Sequence, residues 1–189
     1  RRADAGMIVL AKSGKSQLTK FLAGSTAQMM AANPPRPVAV IHPDHTTFDE
    51  TTRIAVATDM TETADKAIVA AASLARKLGA HLHIVHSSKI TSPSLVDEDT
   101  MPEPLSPEAL IAAAEAVLEE VLEDHIEHLR GIPHAAHVLD EHPVEAISQF
   151  AKDRAIDIVF VGNAARYNVI TNVFGRVSVK LMQQLDCSF

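Results

Sequence analysis

The chain has 189 residues, 47% hydrophobic and 22% charged, with a formal net charge of -7. That length suits one domain, or one domain with part of another, and the composition supplies enough apolar material for a sizeable core. The acidic balance argues against a nucleic-acid partner, and no apolar run approaches the ~18 residues that span a bilayer. The single Cys187 excludes an internal disulfide framework and a multi-cysteine metal site. Neither end reads as a signal peptide, so a cytoplasmic location is expected. With only 4% aromatic residues, the core must rest on Ala, Val, Ile and Leu.

In chain order, residues 7–10 form a short apolar strand candidate, followed by a turn at Lys12-Ser13-Gly14. Ser16 can cap a helix to about residue 32, with Leu18, Phe21 and Leu22 on one side, until Asn33-Pro34-Pro35 stops it. A second strand is expected over 37–41, and 43–52 is polar, contains Pro43 and lacks periodicity, as a linker would. A β-rich run starts at Arg53, and Thr61 or Thr63 caps an Ala-rich helix over 64–78 that ends at Gly79. Residues 81–86 read as a strand, and 87–107 as a long loop carrying prolines and acids. Ser106-Pro107-Glu108 opens an amphipathic helix to about residue 129, closed by Gly131. A strand over 135–139, a helix over 143–154, a strand over 157–161 and a helix over about 172–185 complete the order. Strands alternating with helices of this length imply βαβ units, hence an α/β fold with a doubly wound parallel sheet and helices on both faces. Any ligand crevice then lies beyond the carboxyl ends of the strands, where 59–63, Ser87 with its loop, and 162–172 meet.

One stretch occurs twice. Ala5-Gly-Met-Ile-Val-Leu-Ala-Lys-Ser-Gly14, then Gly24-Ser25, aligns without a gap with Ile156-Asp-Ile-Val-Phe-Val-Gly-Asn-Ala-Ala165, then Gly175-Arg176, at an offset of 151 residues. A domain-sized period marks a tandem duplication rather than a short-repeat solenoid. Residues 1–42 are therefore expected to be the β-α-β tail of a first unit, 43–52 the linker, and 53–189 a second unit. Phe189 aligns with Val38, so the second unit ends near the start of its last strand and leaves an open sheet edge. Such an edge recruits a strand, either from another copy of the chain or from residues 37–41 themselves.

These residues resemble a known family. Ala57-Thr-Asp-Met-Thr-Glu-Thr-Ala64 is similar to the first strand-to-helix turn of the universal stress proteins, and Leu82-His-Ile-Val-His86 to their second strand. The spacing Gly-x2-Gly-x9-Gly-(Ser/Thr) is kept in both copies, as Ala11, Gly14, Gly24, Ser25 and as Gly162, Ala165, Gly175, Arg176. The resemblance implies a five-stranded parallel sheet in the order 3-2-1-4-5 and a crevice for ATP with Mg²⁺. Asp59, beside Thr58, would bind the nucleoside, and Ser87 would meet the base. Gly162, Asn163, Ala165, Gly175 and Arg176 would surround the phosphates, with Gly14, Gly24 and Ser25 as the first unit's remnant phosphate loop. Gly turns let backbone N–H groups approach an anion without an intervening Cβ. Ala165 and Arg176 depart from the pattern, by an added methyl and by a long cation in place of a small hydroxyl.

Other motifs carry less. Gly14-Lys15-Ser16 lacks the first glycine of a P-loop, whose place falls on Val9 inside the strand. Of the ten histidines, alternation puts His81 and His83 on one side of a strand and His86 on the other, while His125 and His128 read as a solvated helix face; no metal site is expected. No nucleophile elbow or acid–base pair is present. The expected function is that of a non-catalytic regulator with an adenine-nucleotide crevice, assembling as a homo-oligomer through sheet-edge pairing. A dimerisation module without nucleotide and a slow Mg²⁺-dependent ATPase are the alternatives.

Overall fold

The computed structural model describes residues 6–12, 30, 36–43, 47–88, 106–162 and 174–189. All of the expected first helix but Met30, most of the loop after Ser87, and the turn residues Gly14, Gly24, Ser25, Asn163 and Ala165 lie outside the described residues.

The first two strands, β1 (Ile8–Ala11) and β2 (Val38–Ile41), pair in parallel from Ile8 opposite Val38 to Ala11 opposite Ile41. Next comes β3 (Arg53–Ala57), in which every residue after Arg53 is buried, as a strand covered on both faces requires. The helix α1 (Glu62–Leu78) starts at Thr61, whose hydroxyl accepts the Ala64 N–H at 3.4 Å. Glu62 and Asp65 in its first turn, and Arg76 and Lys77 in its last, complement the helix dipole. Its buried face is Ile68 and the alanines Ala64, Ala67, Ala71, Ala72 and Ala75, whose small side chains let the helix axis come close to the sheet. Gly79, at φ 71°, ends it by donating its N–H to Ala75 O, a conformation any Cβ would strain.

Further along, β4 (His81–Ser87) is followed by α2 (Pro107–Asp124), capped by Ser106, then α3 (Ile126–Leu129) and β5 (His134–Leu139). The last elements are α4 (Pro143–Asp153), β6 (Ile158–Val161) and α5 (Phe174–Gln184). The apolar period predicts one helix through to about residue 129, but the chain breaks at His125. There the backbone leaves helical geometry and the ring folds back to hydrogen-bond Val121 O at 2.8 Å. His125 is consequently buried, 3.9 Å from Asp65, rather than solvated as the sequence pattern suggests, whereas His128 is exposed.

Four strands form one parallel sheet in the order β5-β4-β3-β6, which is third-second-first-fourth within residues 53–189. On one face Ile54, Val56, Leu82 and Ile84 pack with Ile68, Leu118 and the alanines of α1; on the other, Ala55, Val85 and Val159 pack with Ile147 and Phe150 of α4 and Leu181 of α5. Each fully buried Ile or Leu contributes about 1.5–3 kcal/mol relative to exposure. Among the described residues, no helix is long and apolar enough to cross a membrane.

Beyond β6 the sheet continues through two residues. Ser188 bridges Ile158 in parallel, with its N–H on Asp157 O and its carbonyl accepting the Val159 N–H, each at 3.0 Å. Phe189 then exchanges both backbone hydrogen bonds with Val40, at 2.6 and 2.9 Å, the mark of an antiparallel pair. The edge expected to be open is thus covered by β2 of the same chain, one of the two expected outcomes. Val40 and Met182 form a small core there with Leu10, Val38, Val179 and Phe189. The His42 N–H donates to Ser188 Oγ, and the buried Lys12 ammonium donates to Leu185 O just past the end of α5. Burial lowers the pKa of that amine, partly offset by Cys187 and Asp186.

Candidate functional site

The carboxyl ends of β3, β4 and β6 meet at the amino end of α1. The chain leaving β3 stays paired for one residue more, as the Thr58 N–H donates to Val85 O at 2.9 Å. It then turns sharply: Met60 sits at φ 60°, a left-handed conformation uncommon for a residue with a side chain. Several hydrogen bonds hold this turn. Thr58 Oγ1 accepts the Met60 N–H at 3.0 Å, and Asp59 Oδ1 accepts both the Thr61 N–H at 3.2 Å and the Thr61 hydroxyl at 2.6 Å. Asp59 is exposed, and among the described residues its Oδ2 makes no hydrogen bond.

From the neighbouring strand, the buried His86 ring brings Nδ1 to 2.9 Å from Thr58 O. An imidazole N–H donated there orients the peptide that carries Asp59. Ser87, also buried, donates its hydroxyl to Glu141 O at 2.5 Å, tying the end of β4 to the turn before α4. From the far side, Gly162 lies so close to α1 that a Cβ on it would sit 2.8 Å from Ala64 N and Thr63 O. Only glycine fits that approach. Strained backbone and a glycine-only contact at the ends of parallel strands are features that cluster at ligand sites.

Of the expected residues, Thr58, Asp59, Ser87 and Gly162 stand at the carboxyl ends of the neighbouring strands β3, β4 and β6. Gly175 and Arg176 fall in the first turn of α5. That helix runs away from the crevice, because the chain after it returns to Ser188 beside Ile158 at the amino end of β6. Sequence reasoning missed the His86 bond, the Thr61 bridge on Asp59 and the strained Met60. The His at the strand end was visible, but nothing local shows where its ring points. Among the described residues, no group of three or more His, Cys, Asp or Glu is placed to hold a metal ion.

Residues 50–189 match the model of the Universal stress protein family. The chain belongs to this family. Solved universal stress proteins share its fold at low sequence identity. One from Archaeoglobus fulgidus DSM 4304 is 23% identical, with a TM-score of 0.65 over 97% of this chain and 59% of its own. This chain thus spans less than two-thirds of that relative's length. A universal stress protein solved in complex with cAMP is 18% identical, with a TM-score of 0.55 over 74% of this chain and 94% of its own. The universal stress protein from Archaeoglobus fulgidus solved with dAMP is 19% identical, with a TM-score of 0.51 over 73% of this chain and 94% of its own. None of the curated proteins compared with the chain matches it.

Proposed function

We propose that this universal stress protein chain is a non-catalytic, cytoplasmic stress-response regulator whose crevice takes an adenine nucleotide, ATP with Mg²⁺ being the form the family pattern favours. The observation that carries the reading is the convergence of Thr58, Asp59, Ser87 and Gly162 at one end of the sheet. In this reading Asp59 serves the ribose, and Gly162, Asn163, Ala165, Gly175 and Arg176 serve the phosphates, as the family pattern implies. The nucleotides carried by two structural relatives, cAMP and dAMP, support the chemical class. Asp59 is a binding group without an acid or base partner, so the proposal includes no hydrolysis.

The same reading divides the chain into a partial first unit over 1–42, a linker over 43–52 and a second unit over 53–189. It is supported by the matching strand pairs, Ile8 with Val38 and Ile158 with Ser188, which are equally spaced in sequence.

Thermal unfolding with and without ATP, AMP and Mg²⁺ tests the nucleotide reading. A ligand at a hundredfold its Kd stabilises the folded state by about 2.7 kcal/mol, so the melting temperature should rise, and Asp59→Ala should abolish the rise. Absence of any shift at millimolar nucleotide overturns the proposal in favour of a structural module. A shift retained in Asp59→Ala places the nucleotide elsewhere.

A further inference from the structure

Three imidazoles gather on the sheet face beneath α4, where an apolar core would need none. His81 and His83 lie two residues apart on β4, and His137 of β5 lies diagonally beside His83, opposite Val85. His83 Nδ1 is 3.1 Å from His137 Nε2, and the His81 and His83 rings lie tilted at 36° to each other with centroids 4.5 Å apart. Phe150 of α4 covers both members of the pair, at 5.6 Å from His83 and 4.8 Å from His137. His83 is 7% exposed, and the buried Nδ1 of His81 has no hydrogen-bond partner among the described residues.

The contact between His83 and His137 uses one N–H and one lone pair. It therefore tolerates one positive charge and not two, since a second would set two cations in contact in a poorly hydrated place. The surroundings are already positive. Arg53 of β3 lies opposite His81, and Arg154, just past α4, holds its guanidinium 5.6 Å from the centre of the Phe150 ring. The nearby acids are engaged: Asp157, before β6, accepts the Arg53 N–H at 2.8 Å, and Asp153 of α4 accepts from Gln149 at 2.7 Å.

We propose that this histidine cluster is an acid-responsive device: proton uptake by His83 and His137 drives α4 off the sheet and loosens the α4–α5 layer. Burial first, then His81, His137 and the two arginines, lower the His83 pKa to about 4; burial, then Arg154 and His81, lower that of His137. In the unfolded or opened state these rings titrate near 6.5. The opened state thus binds more protons between about pH 6.5 and 4. The contribution of the neutral pair to closure is complete above about pH 6.5 and is lost as the pH falls toward 4.

Hydrogen exchange of the α4 amides at pH 7.5 and pH 5, corrected for intrinsic rates, tests the device. Protection of α4 in the wild-type chain should fall by about tenfold or more at pH 5, the effect of one proton-uptake step of one pKa unit. In His83→Phe, which cannot take the charge, the fall should vanish. Equal protection at both pH values, or the same loss in His83→Phe, overturns the proposal. Should that variant not fold, NMR titration of the wild-type imidazoles decides: His83 and His137 should titrate below the ordinary imidazole value of about 6.5, and titration at that value refutes the device.

Discussion

Gly162 is the residue at the crevice with the least room to change. Its missing Cβ is replaced by the backbone of Thr63 and Ala64, so Gly162→Ala must push β6 and α1 apart. Overpacking of this kind costs about 1–3 kcal/mol, and the urea midpoint should fall accordingly. A variant as stable as the wild type would mean the two elements separate freely. Cys187 is inert for a different reason: it is 4% exposed, and burial pushes its thiol up to about 12. A thiol reagent at pH 8 should label the native chain at least about a hundredfold more slowly than the denatured one, with labelling accelerating at subdenaturing urea. Fast native labelling would contradict that environment. At this scale the sequence was a partial guide. Asp59 and Gly162 could be read from their places after strands, whereas the His86 bond to Thr58 O depends on a ring orientation set by packing alone.

Among elements, α1 was the most legible, because its cap, its Ala-rich face and Gly79 all specify one helix at one place. The break between α2 and α3 was not. The apolar period runs on through residues 118–129 without a proline or glycine, and only the turn of His125 into the space beside Asp65 interrupts it. The strands of the main sheet were legible from their alternation with helices, and the order β5-β4-β3-β6 agrees with the first four positions of the expected sheet. The histidines of β4 were correctly divided between faces. Their approach to His137 is a matter of cross-strand register, which a single sequence does not display.

For the molecule as a whole, the decisive link is the pairing of Val40 with Phe189. Val40→Pro removes the N–H that meets Phe189 O and leaves that carbonyl unpaired, at a cost of about 1–3 kcal/mol. Limited proteolysis should then cut before residue 47 faster than in the wild type, while cleavage within 53–161 stays slow. Unchanged cutting would show that the packing of Val38 and Leu10 against α5 suffices without the hydrogen bonds. That some strand would lie at this edge could be anticipated from the alignment of Phe189 with Val38; which one depends on how far residues 36–43 reach back.

The antiparallel sense of that pairing has a consequence for symmetry. Val38 and Phe189 occupy equivalent places in the copied stretch, and each follows a strand to which its segment pairs in parallel. Two like strands running in opposite directions are related by a half-turn about an axis between them, not by a shift along the sheet. A half-turn is complete after two operations, so within this chain the pairing of Val40 with Phe189 closes the two like edges on each other. The same rotation points the carboxyl ends of β1 and β6 in opposite directions, so a ligand bound beyond one strand end is out of reach of the other.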